Sequence, residues 1–223
     1  MKHIIWKKRQ LQDFRLYLIL DAQVIISKDI VRIAEEAIFS GGVDIFQLRA
    51  KGWPDRQIVQ IGRILNGLAH KNKVLFIVND RADLARTIGA DGVHLGQDDL
   101  SVEDARAIMG RDKIIGISTH NISQVQQAQK AAPDYIAIGP IFPTATKLKT
   151  NALTPQILTQ LKDKLRLPAI AIGGINLHNL NQILDAGFER VAVSRAILET
   201  ADIHDTVIKF RQRLYANDAI RTG

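Results

Sequence analysis

The sequence predicts an α/β protein folded as a single (β/α)8 TIM barrel, and three observations carry that prediction. Short, nearly uninterrupted apolar runs recur about every 25 residues along the chain. A helix-length segment follows each run, several of them opened by recognisable capping residues. Eight such strand–helix units fit into about 200 residues, where six would favour an open doubly wound sheet.

The first run is LYLIL at 16–20, ending at Asp21. Ser27 reads as the N-cap of a helix carrying Ile30, Val31, Ala34, Ala37 and Ile38 at helical spacing, which Gly41 and Gly42 stop. VDIFQL at 43–48 is the second strand, ending in Arg49 and Lys51, and Trp53-Pro54 opens a helix running to about His70. The third strand is 74–78 and the fourth 92–95, separated by a helical segment at 81–89. Ser101 and Asp104 cap the next helix, and Asn121 with Gln124 the one after the fifth strand, 114–117. The sixth strand, 135–138, leads into the long loop GPIFPTATKLKTNAL. Thr154-Pro155 then places proline in the first turn of a helix. AIAI at 169–172 is the seventh strand, followed by Gly173-Gly174 and a helix from about Asn176. The eighth, 190–193, ends at Ser194-Arg195, and a last helix runs from about Ile203 to Tyr215. No linker or low-complexity break divides the chain, so residues 16–223 read as one catalytic barrel behind a basic leader, 1–15. That leader either packs on the bottom of the barrel or meets a partner subunit.

Composition excludes several functions. An apolar share of 46% in 223 residues suits one domain with a full core. The absence of cysteine removes disulfides, thiolate catalysis and zinc–thiolate sites. No run of ~18 apolar residues occurs, so no spanning helix and no membrane partner are expected. The segment before Asp13 lacks an apolar core of signal-peptide length, which makes the cytoplasm the expected compartment. A net charge of +7 suits anionic partners. With aromatics at only 5% and no basic-aromatic stacking motif, nucleic acid is disfavoured and phosphorylated small molecules remain. A homo-oligomer stays open.

In such a barrel the active site lies at the C-terminal ends of the strands. Those ends carry Gln47, Arg49 and Lys51, then Asn79 and Asp80, then Gln97 and Asp99. Ser118 and His120 follow, then Thr144, Thr146 and Lys147, then Gly173, Gly174, Ser194 and Arg195. The opposite ends show less convergence of charged residues, which marks the first rim as functional. Asp80 and Asp99 form a two-carboxylate set suited to Mg2+ completed by water and phosphate. Each acid could instead cap the helix that follows it, and spacing does not choose between Asp98 and Asp99. Arg49 and Lys51 could neutralise a pyrophosphate. Gly173-Gly174 with Ser194-Arg195 occupies the strand-seven and strand-eight position where barrels commonly bind phosphate through backbone N–H groups beside a helix N-terminus. His70, His94, His178 and His204 read as structural or surface residues, with His120 less certain at a strand end. No Ser-His-Asp or zinc-ligand spacing is present.

The segments QLRAK at 47–51, ND at 79–80, GADGVHLGQDD at 89–99, GIS at 116–118, GPIFPTATK at 139–147 and GGI at 173–175 resemble the thiamine-phosphate synthase family. The likeness runs from LYLILD to the last helix, and the ordered set QLRAK, GVHLGQDD and PTATK is specific. It implies a transferase of thiamine biosynthesis that condenses hydroxymethylpyrimidine diphosphate with thiazole phosphate, with Mg2+ as cofactor. By resemblance, Gln47, Leu48, Arg49, Ala50, Lys51, Asn79, Ser118 and Lys147 hold the pyrimidine diphosphate, with Arg49, Lys51, Ser118 and Lys147 taking part in catalysis. Asp80 and Asp99 hold the metal, the family pattern favouring Asp99 over Asp98. Thr144, Ala145, Thr146, Gly174, Ser194 and Arg195 hold the thiazole phosphate. Loss of pyrophosphate would follow a dissociative path needing no protein nucleophile, so the missing triad is expected. Two departures stand out: an arginine at 195 where the family is usually small, and no glycine at 148–153. The sister thiazole tautomerases, which lack the full metal and pyrophosphate set and rely on a histidine near His120, are the alternative, as is a non-catalytic phosphate-binding barrel.

Overall fold

The computed structural model describes residues 11–25, 29–143 and 152–216. Eight parallel strands close into a barrel in chain order, β1 (Leu16–Asp21), β2 (Ile45–Arg49), β3 (Leu75–Asn79), β4 (Gly92–Leu95), β5 (Ile114–Thr119), β6 (Tyr135–Ile138), β7 (Ala169–Ile172) and β8 (Val191–Val193). Closure runs through β1 and β8, where Tyr17 pairs with Ala192.

Around the barrel lie α1 (Ile30–Phe39), α2 (Asp55–Lys71), α3 (Ala82–Ile88), α4 (Val102–Met109), α5 (Ile122–Ala131), α6 (Pro155–Lys162), α7 (Leu180–Asp185), α8 (Arg195–Leu198) and α9 (Ile203–Tyr215). Period-two alternation sends one set of strand residues outward against these helices, among them Leu18, Phe46, Phe76 and Ile136. The other set points inward and fills the lower barrel with Ile45, Leu75, Ile77, Ile114 and Ile170, closed from below by Leu11 and Phe14. Burial on both faces explains why the strands read as continuous apolar runs rather than alternating ones.

Three local expectations need correction. Helix α1 begins at Ile30, and its N-cap is Asp29, whose carboxylate accepts from the backbone N–H of Val31 and Arg32; Ser27 lies outside the described residues. The helix after β7 starts at Leu180 rather than near Asn176, because Asn176 and Asn179 lock the intervening turn. Asn176 N–H donates to Asn179 Oδ1 at 2.8 Å, and Asn179 Nδ2 donates to Gly174 O at 2.9 Å. A short helix, α8, also follows β8 where none was expected.

The lower rim is not poor in charge. Asp44, Asp91 and Asp134 each stand one residue before an even-numbered strand, in VDIF, ADGV and PDYI. Asp44 Oδ2 accepts the N–H of Arg15 and Leu16 at 2.8 and 3.0 Å. Asp91 Oδ2 accepts from Phe76 at 2.9 Å, and Asp134 Oδ2 from Ile115 at 2.8 Å. Each also returns its own N–H to the preceding odd strand, Asp44 to Leu16 O, Asp91 to Phe76 O and Asp134 to Ile115 O. The repeated aspartate therefore starts three β–β ladders by satisfying N–H groups left over at strand entry. Their carboxyl oxygens serve the fold as acceptors.

Candidate active site

The upper ends of the strands surround one cavity of about 690 Å³, large enough for a small phosphorylated ligand. Inward alternation delivers Gln47 and Arg49 from β2, Asn79 from β3, His94 from β4, Ser118 from β5 and Ser194 after β8. Lys51, Asp80, Asp99, Gly174 and Arg195 reach it from the loops. Of the residues expected here, Leu48 turns outward into the core, 1% exposed, and Ala50 lines a smaller hollow beside Trp53. One-residue alternation explains the loss of Leu48: between Gln47 and Arg49 a side chain must face the other way. Thr144, Ala145, Thr146 and Lys147 lie outside the described residues, as does most of the glycine-free stretch at 148–153.

The acids at 80 and 99 are not helix caps. Helix α3 is preceded by Arg81, with no side-chain cap, and α4 is capped by Ser101, whose Oγ accepts from Asp104 N–H. Asp80 instead sits at φ 61°, a left-handed conformation that aspartate tolerates better than most residues. Its backbone N–H donates to His94 O at 2.8 Å, and its carboxylate meets Lys51 Nζ at 2.9 Å. Arg81 pins the same loop from outside, forking to Asp55 at 2.9 and 3.0 Å and to Asp83 at 2.9 and 2.7 Å. Asp99 Oδ2 accepts from Gly96 N–H at 2.6 Å. Desolvation, then the neighbouring Asp80 carboxylate, hold the Asp99 carboxyl above the usual aspartate range, against the opposing pull of the Gly96 N–H and Lys51. Asp98 also lines the cavity, but Asp99 is the acid that meets Asp80.

Among the described residues, no group of three or more His, Asp or Glu could hold a metal by itself. A pair of hard oxygen donors with one lysine beside it is nonetheless a fitting donor set for Mg2+, which takes one or two carboxylates and completes its shell with water and phosphate.

Beside the acids, Arg49 Nη1 reaches Asp21 Oδ2 at 2.7 Å; Asp21, at the end of β1, is 2% exposed. Sequence reasoning passed over Asp21, although the strand-end rule that selected Asp80 applies to it equally. It also passed over a polar chain beneath the cavity. Gln47 Nε2 donates to Tyr17 Oη at 2.8 Å, and Tyr17 and Tyr135 hydroxyls lie 3.0 Å apart. His94 Nδ1 lies 2.9 Å from Tyr135 Oη and Nε2 2.9 Å from Ser118 Oγ. His94 is thus buried, but its neighbours are site residues. Its signal in the sequence was a polar residue at an inward position of an apolar run. His120, also on the cavity, meets Gly139 O through Nδ1.

Across the mouth, the groups are mostly backbone. Gly173 and Gly174 have φ of 97° and 66°, and a Cβ on Gly173 would lie 2.5 Å from Pro140. Both features require glycine there. Ser194 Oγ and Arg195 Nε are buried with no hydrogen-bond partner among the described residues, while Arg195 Nη1 pairs with Glu199. Unsatisfied donors of this kind call for an explanation, and a polyanionic ligand supplies one. Because α8 is only four residues long and α7 starts late, the expected helix-dipole contribution at this end gives way to loop N–H groups.

Comparison with known proteins points to one family. The family model described as thiamine monophosphate synthase matches residues 16–197. A thiamine-phosphate synthase of Halalkalibacterium halodurans is 44% identical over 197 residues, covering 88% of this chain and 93% of that protein. One from Clostridium botulinum is 41% identical over 192 residues, covering 86% and 93%. The solved thiamine phosphate pyrophosphorylase of Pyrococcus furiosus superposes with a TM-score of 0.84 at 31% identity, covering 94% of this chain and 98% of that one. With a closed eight-stranded barrel, a rim that pairs acids with cations and relatives alike over nearly their whole length, the chain belongs to the thiamine monophosphate synthase family.

Proposed function

We propose that the chain is a transferase that joins hydroxymethylpyrimidine diphosphate to thiazole phosphate, giving thiamine phosphate and pyrophosphate. The observation that carries this reading is one cavity with charged side chains on one side and glycine backbone on the other, in a chain 44% identical to a thiamine-phosphate synthase. Side-chain charge from Arg49, Lys51, Asp80 and Asp99 lies on β2–β4, and glycine backbone with Ser194 lies on β7–β8. Two phosphorylated substrates need two such sides.

Asp80 and Asp99 would hold Mg2+, and Lys51 beside Asp80 is placed to bind the same diphosphate. Mg2+ in that position supplies neutralisation of charge on the leaving pyrophosphate. Arg49, fixed by Asp21, and Lys51 take up further negative charge, as Lys147 would. Gln47, Asn79 and Ser118 orient the pyrimidine; Leu48 and Ala50 would offer it only their backbone.

The methylene C–O bond breaks with its electron pair leaving on pyrophosphate, and the amine-bearing ring stabilises the cationic carbon. The thiazole nitrogen then supplies the pair that forms the C–N bond. Thr144, Ala145, Thr146, Gly174, Ser194 and Arg195 would hold the thiazole phosphate, and binding both substrates in one cavity makes this attack intramolecular in effect. No side chain need act as nucleophile, so catalysis rests on positioning and preorganised charge.

A two-substrate assay for thiamine phosphate, with Mg2+ and with chelator, tests the reading. Product and pyrophosphate in equal amounts, abolished by chelator, are expected. No product from the two substrates together, or turnover of thiazole phosphate alone, would overturn it.

A further inference from the structure

The chain of hydrogen bonds under the cavity has a direction. Gln47 Nε2 donates to Tyr17 Oη, so the single Tyr17 proton goes to its other partner, Tyr135. Tyr135 must then donate its own proton to His94 Nδ1. That fixes the imidazole tautomer, with hydrogen on Nε2 donating to Ser118 Oγ. Ser118 is left with its hydroxyl proton to give to the cavity, and Gln47 with its carbonyl oxygen as an acceptor. Complete burial pushes both tyrosines far above the usual phenol range, so each remains a neutral O–H and keeps the chain intact.

The barrel is built around this contact. His94 pairs in register with Gly116, and Gly116 with Tyr135. A Cβ at 116 would lie 2.0 Å from the Tyr135 ring, so only glycine lets that ring lie across β5. Through the gap the His94 and Tyr135 rings stack, with centroids 5.5 Å apart and planes at 22°.

We infer that His94 is a positioning residue for pyrimidine recognition: by fixing the direction of the Gln47–Tyr17–Tyr135–His94–Ser118 chain, it makes the two ends an acceptor and a donor for the ring's amine and adjacent ring nitrogen. This rests on the synthase reading and adds what selects the aminopyrimidine. An apolar floor, or one of reversed direction, would hold the ring without distinguishing amine from methyl. A site built to hydrogen-bond a group discriminates strongly against analogues that lack it.

Metal-free calorimetric titration tests this, with hydroxymethylpyrimidine monophosphate and an analogue whose amine is replaced by methyl. Wild type should prefer the amine by about tenfold or more, the scale of a buried hydrogen bond left unmade. His94→Phe should bring that preference to within about twofold, leaving thiazole phosphate affinity unchanged. His94→Gln, which carries a donor and an acceptor at its tip, should recover part of it. If His94→Phe does not fold, Tyr17→Phe cuts another link of the same chain and should lower the preference likewise. An undiminished preference in the variants, or equal loss of affinity for both substrates, would overturn the inference. Wild type that binds the aminopyrimidine without preferring it also defeats the inference but leaves the synthase reading standing. Wild type that does not bind it at all defeats the inference, while the synthase reading stands or falls by the two-substrate assay with Mg2+.

Discussion

Aspartates stand at both ends of this barrel, and the two sets are treated in opposite ways. At the bottom, the carboxylates of Asp44, Asp91 and Asp134 are occupied by strand N–H groups, and Asp134 also by Arg106 at 2.6 Å. At the top, Asp80 and Asp99 are brought against each other, with Lys51 beside Asp80. A carboxyl group whose oxygens accept backbone N–H groups holds what it bonds; two that face each other repel, and Lys51 beside Asp80 offsets only part of that repulsion. The same residue type is thus tied into strand entries at one rim and turned into the cavity at the other, the rim where these barrels carry their active sites.

Substitution at each end should separate the two roles. Asp80→Asn keeps a side chain that tolerates the left-handed backbone but removes charge. It should cut Mg2+-dependent turnover on the order of 10³-fold with Tm little changed. Asp91→Ala strips the acceptor from Phe76 N–H and should lower stability by about 2 kcal/mol, roughly 6 °C in Tm, while the folded fraction keeps its kcat. Steady-state kinetics and thermal melts on the same preparations check the pair. If Asp80→Asn melts low and stays active, the comparison is inverted.

A smaller effect concerns Asp44. Burial pushes its carboxyl above the ordinary range, outweighing the N–H groups of Leu16 and Arg15 that pull it down. The folded chain thus holds that proton more tightly than the unfolded one. Its contribution is fully present below the unfolded pKa and declines as pH rises through the raised folded value. Asp44→Asn should flatten this slope in urea titrations run across that window, without touching activity.

The contrast between rims also explains what was legible in the sequence. Strand order, closure and the helices followed from apolar runs and capping residues, because burial on both faces leaves an unbroken signature in LYLIL or AIAI. Arg49, Lys51, Asp80 and Asp99 were legible because charge at a strand end has little reason to be there except function or capping, and the structure removes capping for both acids. The lower aspartates were missed although VDIF, ADGV and PDYI repeat the same placement. An acid preceding a strand looks like any loop residue until the register shows whose N–H it accepts. Tyr17, His94 and Tyr135 were missed for a related reason. Each sits inside an apolar run, and only closure of the barrel brings β1, β4 and β6 to one hydrogen-bonded line. Leu48 stands in a contiguous motif, but strand alternation turns its side chain into the core and leaves only its backbone for the cavity.

The opposition between the rims is tested most directly by melting wild type and Asp99→Asn with and without Mg2+ and pyrophosphate together. A ligand that binds only the folded state raises Tm. Wild type should gain several degrees, and the variant none. Without ligand the variant should melt no lower than wild type, because a repulsive neighbour of Asp80 has been removed while an oxygen remains for Gly96 N–H. A variant that melts clearly lower yet still responds fully to Mg2+ and pyrophosphate would place Asp99 with the structural acids and contradict the account.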